Sequence, residues 1–271
     1  MYNREKLVSV RGTFKGCEQK LLYCCGITDK GAVCDHNEDA FLIGKAVVHD
    51  GSKECNEKAP VIAAVADGVA GEASGEVASK MALELLAAVK PSSKTDYEEK
   101  ILDIHYALQK YGAGHKKANM QTTLCALAVE ADGRAVMINV GDSRMYLYRN
   151  GKAKQLSRDQ SLVQMLYEQG HITPEQRQGH AQKNVIFPVL GNQMEEPVPQ
   201  ISVIEGGLVH GDIIILCSDG LSDNLTLGEI EDSLAEPKRL PKRLADMTER
   251  AVANGSSDNI TVVGISYLKD E

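Results

Sequence analysis

The sequence has no excess of positive charge. Its 271 residues include 30 Lys and Arg against 38 Asp and Glu, which gives a formal net charge of -8. Proteins that bind nucleic acid through the phosphate backbone usually carry a basic surface or stripe. Nucleic acid is therefore not expected as the main partner. The hydrophobic share of 43% and the charged share of 25% are typical of a globular protein with a sizeable core.

Paired cysteines of the C-x-x-C type are missing. The seven cysteines are odd in number and irregularly spaced, so the sequence indicates neither a disulfide framework nor a zinc knuckle. This pattern favours a reducing compartment. We expect the protein to be cytoplasmic.

Long apolar runs are also missing. The longest, around residues 61–66 and 81–89, fall far short of the roughly 20 residues that span a bilayer. The N-terminal stretch MYNREKLVSVRG lacks the apolar segment of a secretory signal. No internal repeat or low-complexity tract interrupts the chain. We expect a soluble protein with no membrane partner.

Short runs rich in Val, Ile and Leu dominate what is present. They predict strands at 21–27, 41–48, 61–66, 122–129, 135–140, 145–148, 212–217 and 259–267. Helical periodicity predicts helices at 72–89, 97–111, 162–169 and 240–253. Surface loops are predicted at 50–60, 90–95 and 191–199. Because the strands follow one another without regular helical crossovers, an α+β layered sandwich is favoured over a doubly wound parallel sheet.

Acidic residues recur at the ends of the predicted strands. Asp67-Gly68 follows the strand at 61–66, and taken alone this dipeptide is more often a simple turn. The pattern then repeats, and five such sites are hard to explain as unrelated turns. The other four are Glu38-Asp39, Asp142, Asp219 and Asp258.

These residue types suit a cation. Carboxylates without paired His or Cys are the ligands of hard ions such as Mg²⁺ or Mn²⁺. Gly68 would let a backbone carbonyl approach a ligand closely. Calcium is less favoured because the sequence has no D-x-D-x-D-G loop. If Glu38 and Asp258 share one site, residues 1–271 fold as a single domain around it.

Six motifs, in order, resemble those of the type 2C metal-dependent serine/threonine protein phosphatase family, of the bacterial type. The similarity extends from about residue 21 to residue 267. The matching elements are Asn37-Glu38-Asp39 (N-E-D), residues 67–71 (D-G-x-x-G), Gly141-Asp142-Ser143-Arg144 (G-D-S-R), LSRDQSLV (L-T-x-D-H-S-L-V), residues 217–221 (C-S-D-G-L) and residues 257–261 (S-D-N-I-T).

The resemblance implies a four-layer α-β-β-α sandwich in which two central, mainly antiparallel sheets are flanked by helices. It also implies a binuclear centre near one end of the sheets. In that centre Asp67 bridges two cations, the Gly68 carbonyl binds the second, and Glu38 approaches the second. Asp219 and Asp258 complete the first ion.

Two further roles are implied by the same resemblance. Asp39 would orient metal-bound water, and Asp142 would share a third, weaker cation with Asp219. The expected catalytic residues are therefore Asp67, Asp219, Asp258, Glu38 and Asp39.

The expected reaction is hydrolysis of phosphoserine and phosphothreonine in proteins. Two cations beside a bridging water lower its pKa and clamp the phosphoryl oxygens, so that no covalent enzyme intermediate is needed. Accordingly, none of the seven cysteines begins the C-x5-R loop of cysteine phosphatases. We expect a monomer whose partners are phosphoproteins, the substrates of a serine/threonine kinase.

Two positions bear on how substrate is bound. Cys34 stands where bacterial-type relatives carry an arginine that binds the substrate phosphate. Lys183 lies in HAQKNVIFPVLG, which is similar to the family's H-P-x-R-N segment, and is a candidate for a cationic contact or a solvated lysine. Two alternatives stay open: an inactive relative that serves as a regulatory binding module, and a metallohydrolase that acts on a small phosphate ester.

Overall fold

The computed structural model describes residues 21–69, 73–115, 120–174, 176 and 180–268. Several predicted features lie outside these residues: the N-terminal stretch, Cys17, Ala70 and Gly71 of the D-G-x-x-G element, and the predicted helix start at Glu72. Within these ranges no helix is long and apolar enough to cross a membrane.

Two antiparallel sheets form the centre of the molecule. The first contains β1 (Leu21–Asp29), β4 (Gly51–Lys58), β8 (Arg144–Arg149), β9 (Lys152–Gln155), β11 (Ile213–Cys217) and β12 (Ile260–Leu268). The second contains β2 (Ala40–Ile43), β3 (Ala46–Val48), β5 (Val61–Ala66), β6 (Leu124–Val129), β7 (Ala135–Val140) and β10 (Gln200–Val203). The strand orders are β4-β1-β12-β11-β8-β9 and β10-β7-β6-β5-β2-β3.

Helices cover the outer face of each sheet. The helices are α1 (Ala73–Ala88), α2 (Tyr97–Gly114), α3 (Leu162–Glu168), α4 (Asp219–Ser222), α5 (Leu227–Ala235) and α6 (Leu240–Ala253). Side chains fix two of their starts: Asp96 accepts a hydrogen bond from the Glu99 backbone N–H at the start of α2, and Thr226 with Glu229 forms a capping box at the start of α5.

Three apolar layers hold the sandwich together. Phe41 of β2 packs between the two sheets, whereas its neighbour Leu42 faces α1 and α2, as the two-residue period of a strand requires. On the opposite side, Leu244 of α6 packs on the first sheet. All six residues of β5 are buried because both faces of this strand are covered. The predicted α+β sandwich with its four layers is therefore confirmed.

The prediction of a loop at residues 50–60 was wrong. This stretch forms β4, which pairs with β1 at the edge of the sheet that the described residues form, and whose residues alternate between exposed and half-buried positions. Its composition, GSKECNEK, carries little apolar signal because one face and one edge meet solvent. The strand predicted at 41–48 is in fact two strands, since Gly44 takes a left-handed turn with φ of 63° between them. The strands β9 and β10 and the helix α5 had not been predicted.

Candidate metal centre

Strand pairing brings the predicted acidic residues to one end of the sandwich. In the second sheet Ala40 pairs with Ala66, which places the preceding Asp39 beside the following Asp67. In the first sheet Cys217 pairs with both Val262 and Arg144. Because the two sheets are stacked, these strand ends surround one cleft of about 520 Å³. Its lining includes Cys34, His36, Glu38, Asp67, Gly68, Thr123, Asp142, Asn184, Ile186, Asp219 and Asp258.

The backbone at Asp67 is held rigidly. The Asp67 carbonyl accepts hydrogen bonds from the Thr123 N–H and the Thr122 hydroxyl, both at 2.8 Å. Gly68 is required by close packing, since a Cβ there would lie 2.5 Å from the backbone of Gly75 in α1. A Cβ on Gly75 would in turn lie 2.4 Å from Glu38 Oε2. The close packing of α1 against the site therefore requires glycine at both positions. Gly68 was predicted from the sequence, and Gly75 was not.

Glu38 is fixed from both sides. Its N–H donates to Asn259 Oδ1 at 2.8 Å, and its carbonyl accepts from the Ser79 hydroxyl at 2.6 Å. Its side chain lies 2.9 Å from Nε2 of His36, a half-exposed residue on the cleft wall. Neither His36 nor Asn259 was predicted as part of the site. Both lie within two residues of a predicted carboxylate, which was the only available signal.

Asp39 joins the two sheets. Its Oδ2 accepts a hydrogen bond of 2.7 Å from the Ser218 hydroxyl, which also accepts from the Thr261 N–H at 3.0 Å. Burial raises the pKa of Asp39 to about 7, the hydrogen bond from Ser218 opposes this shift, and the charge of Asp258 adds to it. The Asp39 carboxyl is thus buried beneath the residues that line the cleft.

The remaining carboxylates repel one another. Burial, followed by the charges of Asp142 and Asp258, raises the pKa of Asp219 well above its usual range. The same cause, with the charges of Asp39 and Asp219, raises the pKa of Asp67. Burial also raises the pKa of Asp142 to about 7. A set of buried carboxylates of this kind favours a positively charged ligand.

The basic side chains nearby are already engaged. Arg144 donates to both oxygens of Asp159 at 2.7 to 3.0 Å and to the Ser222 carbonyl at 3.0 Å. Lys183 lies beside the cleft, where its Nζ is 3.1 Å from Asp223 Oδ2. Neither cation neutralises the Asp67 and Asp219 carboxylates directly.

The residues present fit divalent cations. Asp219 Oδ1 is buried and has no hydrogen-bond partner among the described residues, and buried carboxylate oxygens are otherwise almost always paired. Within the described ranges, no group of three or more His, Cys, Asp or Glu side chains is arranged to hold a metal ion by itself, so bound ions would also need water or backbone oxygens as ligands. An open set of oxygen donors is what Mg²⁺ or Mn²⁺ uses, because these ions keep several waters and take few protein ligands each.

The metal-free protein is expected to lose stability as the pH rises from about 6 to about 8. The pKa of Asp39 and that of Asp142 are near 7 in the folded chain and about 4 in the unfolded chain. Between these values the folded chain binds more protons, so its stability falls with rising pH until both groups are ionised. Urea unfolding in EDTA should show a loss of about 1 to 3 kcal/mol. A gain over this interval would contradict the burial of these charges.

The structure thus gathers most of the predicted site residues around one cleft. Glu38, Asp67, Gly68, Asp142, Asp219 and Asp258 line it, and Asp39 lies beneath them. Cys34 also lines it, half-buried, with its thiol 3.4 Å from the Ser257 carbonyl. Lys183 is the exception, because it lines two neighbouring pockets instead.

Fold and site together define a layered sandwich with a divalent-cation centre at one end of its paired sheets. The family model described as "Protein phosphatase 2C" matches residues 36–262. The serine/threonine phosphatase stp of Listeria innocua is 32% identical over 245 residues, which are 87% of this chain and 92% of that protein. The chain therefore belongs to the protein phosphatase 2C family, as the motifs indicated.

Solved structures agree with this assignment. The serine/threonine phosphatase of S. agalactiae superposes with a TM-score of 0.77 at 27% identity, covering 90% of this chain and 99% of that one. The catalytic domain of the phosphatase PstP, solved in complex with two manganese ions, superposes with a TM-score of 0.75 at 28% identity, covering 92% of this chain and 99% of that one.

Proposed function

We propose that this chain is a protein-serine/threonine phosphatase that hydrolyses phosphoserine and phosphothreonine in proteins at a binuclear Mn²⁺ or Mg²⁺ centre. The observation that carries the proposal is the cleft of clustered carboxylates, in which a buried oxygen of Asp219 has no hydrogen-bond partner in the described part of the chain. The predicted enzyme class is confirmed by curated relatives that are named serine/threonine phosphatases. The inactive alternative has no support, since every predicted carboxylate lines the cleft or, in the case of Asp39, lies beneath it.

The ligand roles are proposed as the family resemblance implies them. Asp67 would bridge the two ions, with the Gly68 carbonyl and Glu38 on the second ion. Asp219 and Asp258 would complete the first. The position of these residues around one cleft supports the assignment. A third, weaker ion would lie between Asp142 and Asp219.

The bound ions would supply an activated water and neutralise the charge of the phosphoryl group. The chain's own residues hold the proposed ligands in position. Thr122 and Thr123 fix the Asp67 backbone, and Asn259 and Ser79 fix that of Glu38. Rigid ligands of this kind lower the cost of reorganisation during the reaction. Asp39, whose carboxylate accepts a hydrogen bond from Ser218, would orient metal-bound water, as the family resemblance implies.

The remaining parts of the proposal concern context. We propose that residues 1–271 form one phosphatase domain, that the protein is a cytoplasmic monomer, and that its substrates are phosphoproteins made by a serine/threonine kinase. Mn²⁺ and Mg²⁺ suit the oxygen-only ligand set equally well.

A comparison of three substrates tests the function. With Mn²⁺ present, we expect a phosphothreonine peptide to be hydrolysed faster than the matched phosphotyrosine peptide, and p-nitrophenyl phosphate to be turned over as well. Turnover of p-nitrophenyl phosphate without any turnover of phosphopeptides would favour the small-ester alternative. Absence of all three activities with metal bound would favour the regulatory module.

Substituting Cys34 by arginine is expected to lower KM for phosphopeptides about tenfold to a hundredfold. A charge-assisted pair of hydrogen bonds to phosphate is worth roughly 1.5 to 3 kcal/mol, and about 1.4 kcal/mol corresponds to one decade. Cys34 is only half-buried on the cleft wall, so a longer side chain can extend into the cleft. The effect on kcat should be smaller if ground and transition states are bound equally.

Steady-state kinetics of Cys34→Arg beside Cys34→Met checks this prediction, because methionine adds length without charge. An unchanged KM in a folded Cys34→Arg variant would mean that another group, such as Arg144 or Lys183, already binds the phosphate. An equal decrease in KM in the methionine variant would assign the effect to packing.

A further inference from the structure

We propose that Lys183 is a tethered cation that competes with the third metal ion for the carboxylates next to Asp142 and Asp219. The inference rests on the proposed function, because it concerns how occupancy of that site is controlled. Lys183 would weaken the binding of the third ion, whereas the carboxylates around it would strengthen that binding.

The ammonium group of Lys183 lies at the edge of the carboxylate cluster. Its Nζ is 3.1 Å from Oδ2 of Asp223. The Asp223 N–H donates to the Asp219 carbonyl at 2.8 Å, so the two aspartates are joined by one helical turn of α4. Lys183 and Asp223 together line one pocket with Asp142 and a second, smaller pocket with Asp219 and Asp258. Lys183 thus stands where two pockets adjoin the metal ligands.

Of the two acidic neighbours of Asp142, Asp223 is the one whose carboxylate accepts no hydrogen bond from Arg144. Asp159, the other acidic neighbour of Asp142, is occupied by three hydrogen bonds from Arg144. Asp223 Oδ1 lies 3.8 Å from Arg144 Nη2, which is too far for a hydrogen bond. Among the described residues, Lys183 is therefore the cation closest to Asp223.

This ion pair is open to exchange. The Lys183 side chain is 46% exposed and that of Asp223 is 29% exposed, and ion pairs of such exposure are weak and screened by salt. A divalent ion carries twice the charge and binds carboxylate oxygens directly. Asp219 Oδ1, which has no hydrogen-bond partner among the described residues, would be a second oxygen ligand for the ion. The Lys183 ammonium group and the metal ion would therefore compete for the same carboxylate charge, that of Asp223.

The electrostatics of the cluster point the same way. Asp223 lies one helical turn from Asp219 and lines one pocket together with Asp142, so its negative charge acts on both carboxylates. Removing the positive charge of Lys183 would leave Asp223 less well compensated, by the Arg144 guanidinium at 3.8 Å. The affinity of the cluster for an added cation would then rise.

The position of Lys183 also links the third ion to the cleft wall. Its neighbours Asn184 and Ile186 line the metal cleft, and Ile186 forms an isolated backbone bridge with Ser161. Displacement of Lys183 would remove its ion pair with Asp223, which is a contact between this wall and the residue after α4. Third-ion binding and the Lys183–Asp223 contact would therefore exclude each other.

Mn²⁺ binding to the full chain tests the proposal, measured by calorimetric titration and by electron paramagnetic resonance of free Mn²⁺. We expect Lys183→Gln to bind the weakest ion with a Kd about twofold to fivefold lower, with the two tighter sites unchanged. Lys183→Arg should resemble the wild type because it keeps the charge. Lys152→Gln is the matched control, since Lys152 forms a similar surface ion pair with Glu231 at 2.8 Å.

A double variant identifies the shared ligand. Adding Asp223→Asn to Lys183→Gln should abolish the gain in affinity. The proposal is overturned if Lys183→Gln leaves the weakest Kd unchanged, if Lys152→Gln gives an equal gain, or if the gain persists in the double variant. Failure of the wild type to bind even two ions would instead contradict the proposed function.

Discussion

Replacement of Asp219 by asparagine is expected to abolish phosphatase turnover while the metal-free protein stays at least as stable as the wild type. The buried, unpartnered Oδ1 of Asp219 lies among like charges, and the neighbouring Asp142 and Asp258 raise its pKa. Neutralising it relieves repulsion but removes a ligand. Loss of even an outer partner of a metal ligand costs about 10- to 100-fold, so the loss of a ligand should exceed this range.

Two measurements separate these effects. The kcat for a phosphothreonine peptide at saturating Mn²⁺ should fall to background in Asp219→Asn and in Asp67→Asn. Thermal unfolding in EDTA should give an unchanged or higher Tm. Asp232→Asn, on the exposed surface of α5, is the matched control and should change neither quantity. Full turnover in both cleft variants would show that these residues are not ligands.

Removal of divalent ions is expected to eliminate activity completely and reversibly. The site offers carboxylates and a carbonyl, and partly hydrated oxygen sites hold Mg²⁺ and Mn²⁺ more weakly than sulfur and imidazole sites hold zinc. EDTA should therefore strip the ions without denaturing the protein. An ion present at a hundred times its Kd stabilises the folded state by about 2.7 kcal/mol, so Tm should fall as the ions leave.

The experiment follows peptide hydrolysis and Tm before chelation, after dialysis against EDTA, and after addition of Mn²⁺. EDTA already saturated with Mn²⁺ is the control for direct effects of the chelator. Full activity after exhaustive chelation would contradict a two-metal mechanism.

The parts of the fold that the sequence predicted are those whose burial leaves an apolar signal. The strands β5, at Val61–Ala66, and β7, at Ala135–Val140, were predicted at their observed bounds because both of their faces are covered. The polar edge strand β4 leaves no such signal. Thr226 and Glu229, three residues apart, form a capping-box pattern that marks the start of α5 in the sequence. This helix was nevertheless not predicted.

The same limit applies to the site. Carboxylates at strand ends were predictable because a strand end fixes where the next residue lies. The need for Gly75 depends on how closely α1 approaches Glu38, and the place of Lys183 depends on its contact with Asp223, the residue that follows α4. Both are contacts between segments far apart in sequence. No local pattern encodes them.

The place of β12 in the first sheet has a consequence for biosynthesis. This strand comes from the end of the described chain, yet it lies in the interior of the sheet between β1 and β11, directly after Asp258. As a growing chain leaves the ribosome, β1 and β11 can pair with their central neighbour only after residues 260–268 have emerged. Incomplete chains therefore lack both a continuous first sheet and one of the proposed ligands. Hydrolytic competence should therefore arise in one step, once residues 260–268 have emerged, rather than gradually.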